Sequence, residues 1–111
     1  MTLQELYTEL KAIGYPVAYS HFLDTPQNPA PNPPFIVYRE AYSSDLMADN
    51  QNYVGISNVQ VELYTDRKDL ASESAVQNKL KELGLPYAKT EAYLEDEKLF
   101  QVIYEIQLIG E

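Results

Sequence analysis

The sequence predicts an α+β fold, in which a twisted, mostly antiparallel sheet of about five strands carries two helices on one face. Two stretches repeat apolar residues at helical spacing, one at the amino terminus and one after residue 70. Other stretches alternate apolar and polar residues, or run apolar over a few positions, as strands do. The chain of 111 residues is long enough for one domain, residues 1–111, with the order helix–strand–strand–strand–helix–strand–strand.

Composition excludes several classes of function. The net charge is −9, from 17 acidic and 8 basic side chains, and such a surface repels nucleic-acid phosphates. That acidity suits either plain solubility or a channel through which DNA slides without sticking. The absence of cysteine excludes disulfides and thiolate metal sites. Neither a signal peptide nor a membrane span is visible, so we expect a soluble protein, intracellular at birth, with no membrane contact.

The first helix has clear signals at both ends. Thr2 and Glu5 have the spacing of a capping box, in which each side chain accepts a hydrogen bond from a free backbone N–H. The apolar positions that follow, three or four residues apart, are Leu3, Leu6, Leu10 and Ile13. Gly14 and Pro16 then end the helix, and a strand is predicted over Val17–Phe22. The same succession of helix end, glycine, proline and strand recurs at residues 80–88. We interpret it as the shortest way to connect a helix to a strand of the sheet rather than as a duplication.

Two polar or proline-rich segments flank the second predicted strand, Phe35–Tyr42. Five prolines make residues 24–34 a loop, read as a stiff connection or an arm against a neighbouring subunit rather than a ligand for a proline-binding domain. Residues 43–53 are predicted to be a second loop, solvated or in contact with another subunit. Its polar residues Asp45, Asp49, Asn50 and Asn52 lack the glycine and distant glutamate of a calcium loop, so no metal site is predicted.

A central strand leads into the second helix. Residues 59–65 alternate as a half-buried strand does, Asp69 is placed to cap a helix, and Gly84 is placed to end it. The helix has a narrow apolar stripe of Ala75, Val76, Leu80 and Leu83. A hairpin follows, with strands over 87–94 and 98–109. The residues of its last strand expected to face the core are Phe100, Val102, Tyr104, Ile106 and Leu108. The opposite sheet face is mixed, which indicates a partner.

No catalytic constellation is visible, so we predict no enzyme and no cofactor. His21 is the only histidine, and we expect it to be structural or on the surface. The carboxylates of Glu91 and of residues 95–97 cluster near a hairpin tip, which lacks the burial that tunes acid–base pairs. The four glycines are dispersed and form no phosphate-binding loop.

Several motifs together resemble the tail-completion proteins, or tail terminators, of long-tailed phages and prophages. They are Leu-Gln-Glu-Leu-Tyr at residues 3–7, Gly-Tyr-Pro-Val-Ala-Tyr at 14–19, Asn-Pro-Pro-Phe-Ile-Val-Tyr at 32–38, Ala-Asp-Asn at 48–50, Asn-Val-Gln-Val-Glu-Leu-Tyr-Thr at 58–65 and Tyr-Glu-Ile at 104–106. The resemblance implies a sheet with two helices on one face and a virion protein, assembled in the host cytoplasm. It also implies a ring, commonly of six subunits, that caps the tail tube and joins the head connector. Six copies would carry 6 × −9, or −54, with the charge concentrated at the lumen so that DNA passes without specific binding.

As a hypothesis within that resemblance, the two loops contact other subunits or the tube, and the acidic tip lines the channel or a rim. The contact residues are Pro29, Pro31, Asn32, Asp45, Met47, Asp49, Asn50 and Tyr53. The tip residues are Glu95, Asp96 and Glu97. Each segment could instead be only a solvated loop. Two other functions stay open, namely another neck or tail component such as a stopper or tube subunit, and an acidic adaptor or inhibitor that binds a host protein.

Overall fold

The architecture follows from a computed structural model that describes residues 1–110. The two helices are α1 (Leu3–Lys11) and α2 (Leu70–Glu82). The strands are β1 (Val17–Tyr19), β2 (Phe35–Ser43), β3 (Leu46–Ala48), β4 (Gln51–Val54), β5 (Ile56–Thr65), β6 (Ala88–Leu94) and β7 (Leu99–Ile109). Five strands form one sheet in the order β1-β2-β5-β7-β6, and β3 and β4 form a separate hairpin. The predicted α+β class is therefore confirmed.

The sheet is antiparallel except where β1 runs parallel to β2. Its middle strand, β5, continues through a short loop into α2, as the alternation and capping signals predicted. Both helices pack on the same sheet face, where their buried leucine and valine side chains meet those of β2, β5 and β7. The fully buried side chains include Leu6, Leu10, Ile36, Val61, Leu63, Val76, Leu80, Val102 and Tyr104.

The predicted helix ends are present. The N–H of Glu5 donates to Thr2 Oγ1 at 3.1 Å, and the N–H of Thr2 donates to Glu5 Oε1 at 3.0 Å, which completes the capping box. Asp69 accepts from the backbone N–H of Ser72 at 3.0 Å at the start of α2. Gly84 follows α2 with φ +70°, a backbone conformation that glycine adopts without steric cost.

The strand predicted over Val17–Phe22 is shorter than expected and ends at Tyr19. Ser20 has φ +68°, in the left-handed region, so the chain turns out of the sheet there. The N–H of Ser20 makes the last bond to β2, donating to the carbonyl of Tyr38 at 2.8 Å. His21 and Phe22 therefore lie outside the strand, and His21 does not share a sheet face with Val17.

The prediction of a loop over residues 43–53 is wrong in part. β2 continues to Ser43, and β3 and β4 then pair as an antiparallel hairpin. Asp49 and Asn50 connect them with φ +52° and +61°, the pattern of a two-residue type I′ turn. An Asp-Asn pair between two short stretches of larger residues was the local signal for this turn. The other strands begin and end within three residues of their predicted bounds.

The repeated succession of helix, glycine, proline and strand has a clear structural outcome. After α1 it leads into β1, and after α2 it leads into β6. These two strands form the opposite edges of the sheet. Each helix thus packs on the same sheet face and is followed by an outer strand.

Candidate assembly surfaces

The β3–β4 hairpin projects from the sheet between the end of β2 and the start of β5. We call residues 44–55 the arm. All three residues of β3 and three of the four in β4 are exposed. Asp45 fixes the base of the arm, since one carboxylate oxygen accepts from the N–H of Ile56 at 2.9 Å and the other from Asn52 Nδ2 at 2.7 Å. Of the predicted contact residues, Asp45 is therefore an internal anchor, and Asp49 and Asn50 form the turn.

The arm exposes large apolar side chains. Leu46, Met47 and Tyr53 are exposed by 53, 61 and 72%, and Tyr53 occupies a bulge opposite β3. Tyr42, beside the base of the arm, and Ile109, at the end of β7, are also more than half exposed. We call these five residues the apolar end, because the register places Tyr42 and Ile109 beside the start of β5, where the arm joins the sheet. Apolar side chains gathered on a surface in this way mark contact sites.

The molecule is elongated. Its radius of gyration is 15.2 Å, whereas a compact domain of this length is expected near ~13 Å. The overall dimensions are 50 × 30 × 26 Å. A protruding arm and a long central sheet give this shape, which presents more surface to neighbouring molecules than a compact domain does.

A groove of about 570 Å³ lies near the arm. Its lining includes Tyr42, Asn58, Gln60, Glu105, Gln107 and Ile109. A bulge at residue 41 shifts the β2–β5 register, so that Tyr42 lies opposite Asn58 and shares its sheet face, the one away from the helices. Asn58 links the groove to the arm, because it accepts from Gln107 Nε2 at 3.0 Å and donates to Ser44 Oγ at 2.7 Å.

The acidic tip lies at the other end of the molecule. Glu95, Asp96 and Glu97 are exposed in the turn between β6 and β7, as predicted. Lys98 closes this turn with φ +55°, and its N–H donates to the carbonyl of Glu95 at 3.3 Å. Because the turn precedes β7 and Ile109 ends it, the full length of β7 separates the tip from the apolar end.

The proline-rich loop lies along the β1 edge of the sheet. Pro29 and Pro31 line a cleft of about 460 Å³ together with Val17, Ala18 and Phe22. The N–H of Ala30 donates to Asp24 Oδ1 at 3.1 Å, which holds the loop on itself. Asn32 is exposed. The two predicted contact loops are thus separate surfaces, one against β1 and one projecting between β2 and β5.

Two buried carboxylates were not singled out from the sequence. Glu62 is 6% exposed on the sheet face away from the helices, and its carboxylate accepts from Tyr64 Oη at 2.7 Å and from Arg39 Nε at 3.4 Å. Burial, together with the hydrogen bond to Glu62, raises the pKa of Tyr64 to about 12. Glu62 stands between Val61 and Leu63 in a strand whose apolar residues alternate with polar ones. This position was the sequence signal that its side chain lies on the sheet face away from the helices.

The second carboxylate, Glu73, is 3% exposed in α2. It accepts from Lys68 Nζ at 2.8 Å and from Lys89 Nζ at 2.7 Å. Burial acts to raise the pKa of Glu73, but the two lysine hydrogen bonds outweigh it and the net shift is downward. The group joins α2, the loop before it and β6, and each of its charges has an opposite partner.

Within residues 1–110, no three histidine or carboxylate side chains are grouped so that they could hold a metal ion. His21 is exposed, and its Nδ1 lies 3.2 Å from Oγ of the adjacent Ser20. Neither helix in this part of the chain is long and apolar enough to cross a membrane.

No protein-family model matches this chain, and no curated protein matches it at a significant level.

Proposed function

We propose that this protein is a structural component of a phage head–tail junction, where copies form a ring that terminates the tail tube and joins it to the head connector. The observation that carries the proposal is the arm, a protruding hairpin whose apolar side chains lie on the surface. The sequence motifs that resemble tail-completion proteins support it, as does the fold that this resemblance implies.

The energetics of the arm favour a partner. A two-stranded hairpin is at best marginally stable in water by itself, and it gains stability when its apolar face packs on something else. The exposed Leu46, Met47 and Tyr53 supply apolar surface for such packing. A projecting element that docks on a different surface of the next copy makes a head-to-tail contact. Such contacts close into a ring when the rotation from each copy to the next divides a full turn evenly.

The position of the acidic residues fits the same assembly. Contacts at the apolar end would leave the tip of Glu95, Asp96 and Glu97 free, because β7 separates the two. Carboxylates repel the phosphates of passing DNA, so a rim of such tips gives transit without adhesion. The arm itself contains two acidic residues, and one of them, Asp45, is engaged in its base.

The test compares Tyr53→Glu with Leu70→Glu. Both parent side chains are large and exposed, by 72 and 67%, but Leu70 begins α2 and lies away from the arm. We expect the wild type and Leu70→Glu to form particles of about 76 kDa, six times 12.7 kDa, either in solution by light scattering or on isolated tail tubes. Tyr53→Glu should not form the six-subunit particle, since a charge buried in the contact is costly.

Imaging of labelled protein in virions locates the ring. Density at the neck, between tube and connector, is the expected result. Normal necks and full infectivity after deletion of the gene would overturn the proposal. Label along the tube would assign the protein to the tube instead, and a stable monomer that captures a basic host protein would assign it to the adaptor or inhibitor class.

A further inference from the structure

The strand β6 leaves one long edge of the sheet open. Among residues 1–110 its ladder partner is β7 alone, and it forms the outer strand of the sheet. Six of its seven residues are exposed. The other outer strand, β1, is short and has the proline-rich loop beside it. An exposed edge strand offers a row of backbone donors and acceptors for pairing with another strand.

The charges on β6 are self-complementary in one register only. When two copies of a strand pair antiparallel about a two-fold axis within a continuous sheet, one residue lies opposite its own copy. An axis at Lys89 or at Glu91 places like charges opposite each other. An axis at Ala88 or Ala92 places a charged residue opposite Tyr87 or Tyr93. Only an axis at Thr90 places each Lys89 opposite a Glu91.

We propose that β6 pairs with β6 of a second copy of this chain, antiparallel and centred on Thr90, so that the two sheets join into one of ten strands. Lysine on an edge strand ordinarily discourages pairing, but here each lysine meets a glutamate of the other copy. Within each subunit Lys89 is held by Glu73 at 2.7 Å, and Glu91 is held by Lys68. These side chains are therefore already ordered on one sheet face, which lowers the entropy cost of pairing across the axis.

This contact goes beyond the proposed ring and does not depend on it. A two-fold contact closes at two copies, so it cannot generate a six-membered ring, and we assign it to the free protein before assembly. The arm and the apolar end take no part in it, because they lie elsewhere on the sheet.

The test introduces single thiols into a chain that has no cysteine. In the proposed register Thr90 of the two copies are directly opposite, with Cα atoms about 5 Å apart, a separation that a disulfide spans. Ala92 instead lies opposite Ala88, and the two Ala92 residues are offset by roughly 13 Å along the strands. Both positions are exposed and on the same sheet face. Ala92→Cys is therefore a matched control for Thr90→Cys.

Under mild oxidation Thr90→Cys should form a covalent dimer faster than Ala92→Cys, on the order of tenfold, because pairing holds its two thiols at high effective concentration. At concentrations below those at which rings form, the reduced wild type should show a mass that rises with concentration from 12.7 towards 25.4 kDa, twice the chain mass. Equal cross-linking of the two variants would overturn the proposal, as would a wild type that stays at 12.7 kDa at its highest soluble concentration. Ring formation on tail tubes by a wild type that never dimerises would reject this contact alone and leave the proposed function standing.

Discussion

Glu73 illustrates how single residues hold this small domain together. Its buried carboxylate is bound by Lys68 from the loop before α2 and by Lys89 from β6. Burial raises the pKa of Glu73, the lysines lower it, and the net value lies below the ordinary 4.5. A carboxylate with a lowered folded-state pKa stabilises the protein fully above its ordinary pKa, and that stabilisation is lost as the pH falls through the folded value.

Replacing Glu73 by Gln should therefore lower the free energy of unfolding at pH 7 by about 2 kcal/mol, because one charge-assisted hydrogen bond is removed. The difference between wild type and variant should shrink as the pH is lowered below 4.5, where the wild-type carboxylate becomes protonated. Urea denaturation at several pH values measures both effects. Glu95→Gln, an exposed change in the acidic tip, serves as control and should have little effect. If the difference in the free energy of unfolding between wild type and Glu73→Gln does not change with pH, the charged Glu73 carboxylate does not stabilise the fold as described.

Tyr64 provides a second test at this scale. Its hydroxyl donates to Glu62 at 2.7 Å and accepts from Gln101 Nε2 at 2.8 Å. Tyr64→Phe should cost about 1 kcal/mol, since a buried carboxylate loses one of its donors. The raised pKa of Tyr64, about 12 against an ordinary 10.0, means that its contribution is present below pH 10 and is lost as the pH rises through 12.

Ultraviolet absorbance of tyrosinate measures this directly. The wild type should contain one more tyrosine that ionises near pH 12 than Tyr64→Phe does. If the change in absorbance near pH 12 is the same in wild type and in Tyr64→Phe, the Tyr64 hydroxyl is not held by Glu62 and Gln101 as described.

At the scale of elements, the parts that the sequence predicted are those whose signals are local. Both helices have caps and an apolar stripe within their own residues, and β5 and β7 alternate because one face is buried. The arm has no such pattern, because both of its strands lie in solvent and burial imposes no alternation. The end of β1 depends on the backbone of Ser20 and on a bond to β2, which are tertiary features.

For the candidate assembly surfaces, the sequence predicted which segments are exposed but not how those segments are arranged in space. The sequence indicated that residues 43–53 and the acidic tip were exposed, but not that the first of them forms a projecting hairpin. The contribution of Tyr42 and Ile109 to the apolar end could not be anticipated, because strand register brings distant residues together. A bulge at residue 41 turns Tyr42 to the groove, and no pattern in the sequence marks that bulge.

The end of α2 gives an element-scale prediction. A Cβ at Gly84 would meet no atom within 4 Å, so any cost of substitution comes from the backbone at φ +70°. Gly84→Ala should destabilise the protein by about 1 kcal/mol, the cost of a left-handed conformation for an alanine. Gly84→Asn should cost less, because asparagine tolerates this region. Thermal unfolding of the two variants measures the difference, and an equal loss in both would point to a steric clash instead.

At the scale of the whole molecule, the net charge opposes assembly, whereas the elongated shape holds the apolar contact surface apart from the acidic tip. Each copy carries −9, so bringing several copies together requires contacts strong enough to overcome repulsion between them. The apolar end offers such contacts at one end of a 50 Å molecule, while the acidic tip stays at the other. This separation keeps the tips clear of contacts made at the apolar end.

Assembly should therefore be promoted by salt. At about 0.1 M salt, charges more than ~10 Å apart are largely screened, whereas apolar contacts are retained. Raising the salt from ~20 mM to ~0.3 M should lower the protein concentration needed for ring formation on the order of tenfold, as measured by light scattering. Tyr53→Glu should form no rings at either salt concentration, which separates ring formation from general aggregation. Duplex DNA should not bind at either one, because no counterions are released by an acidic surface. Rings that dissociate when salt is added would mean that ion pairs, and not the apolar end, hold the subunits together.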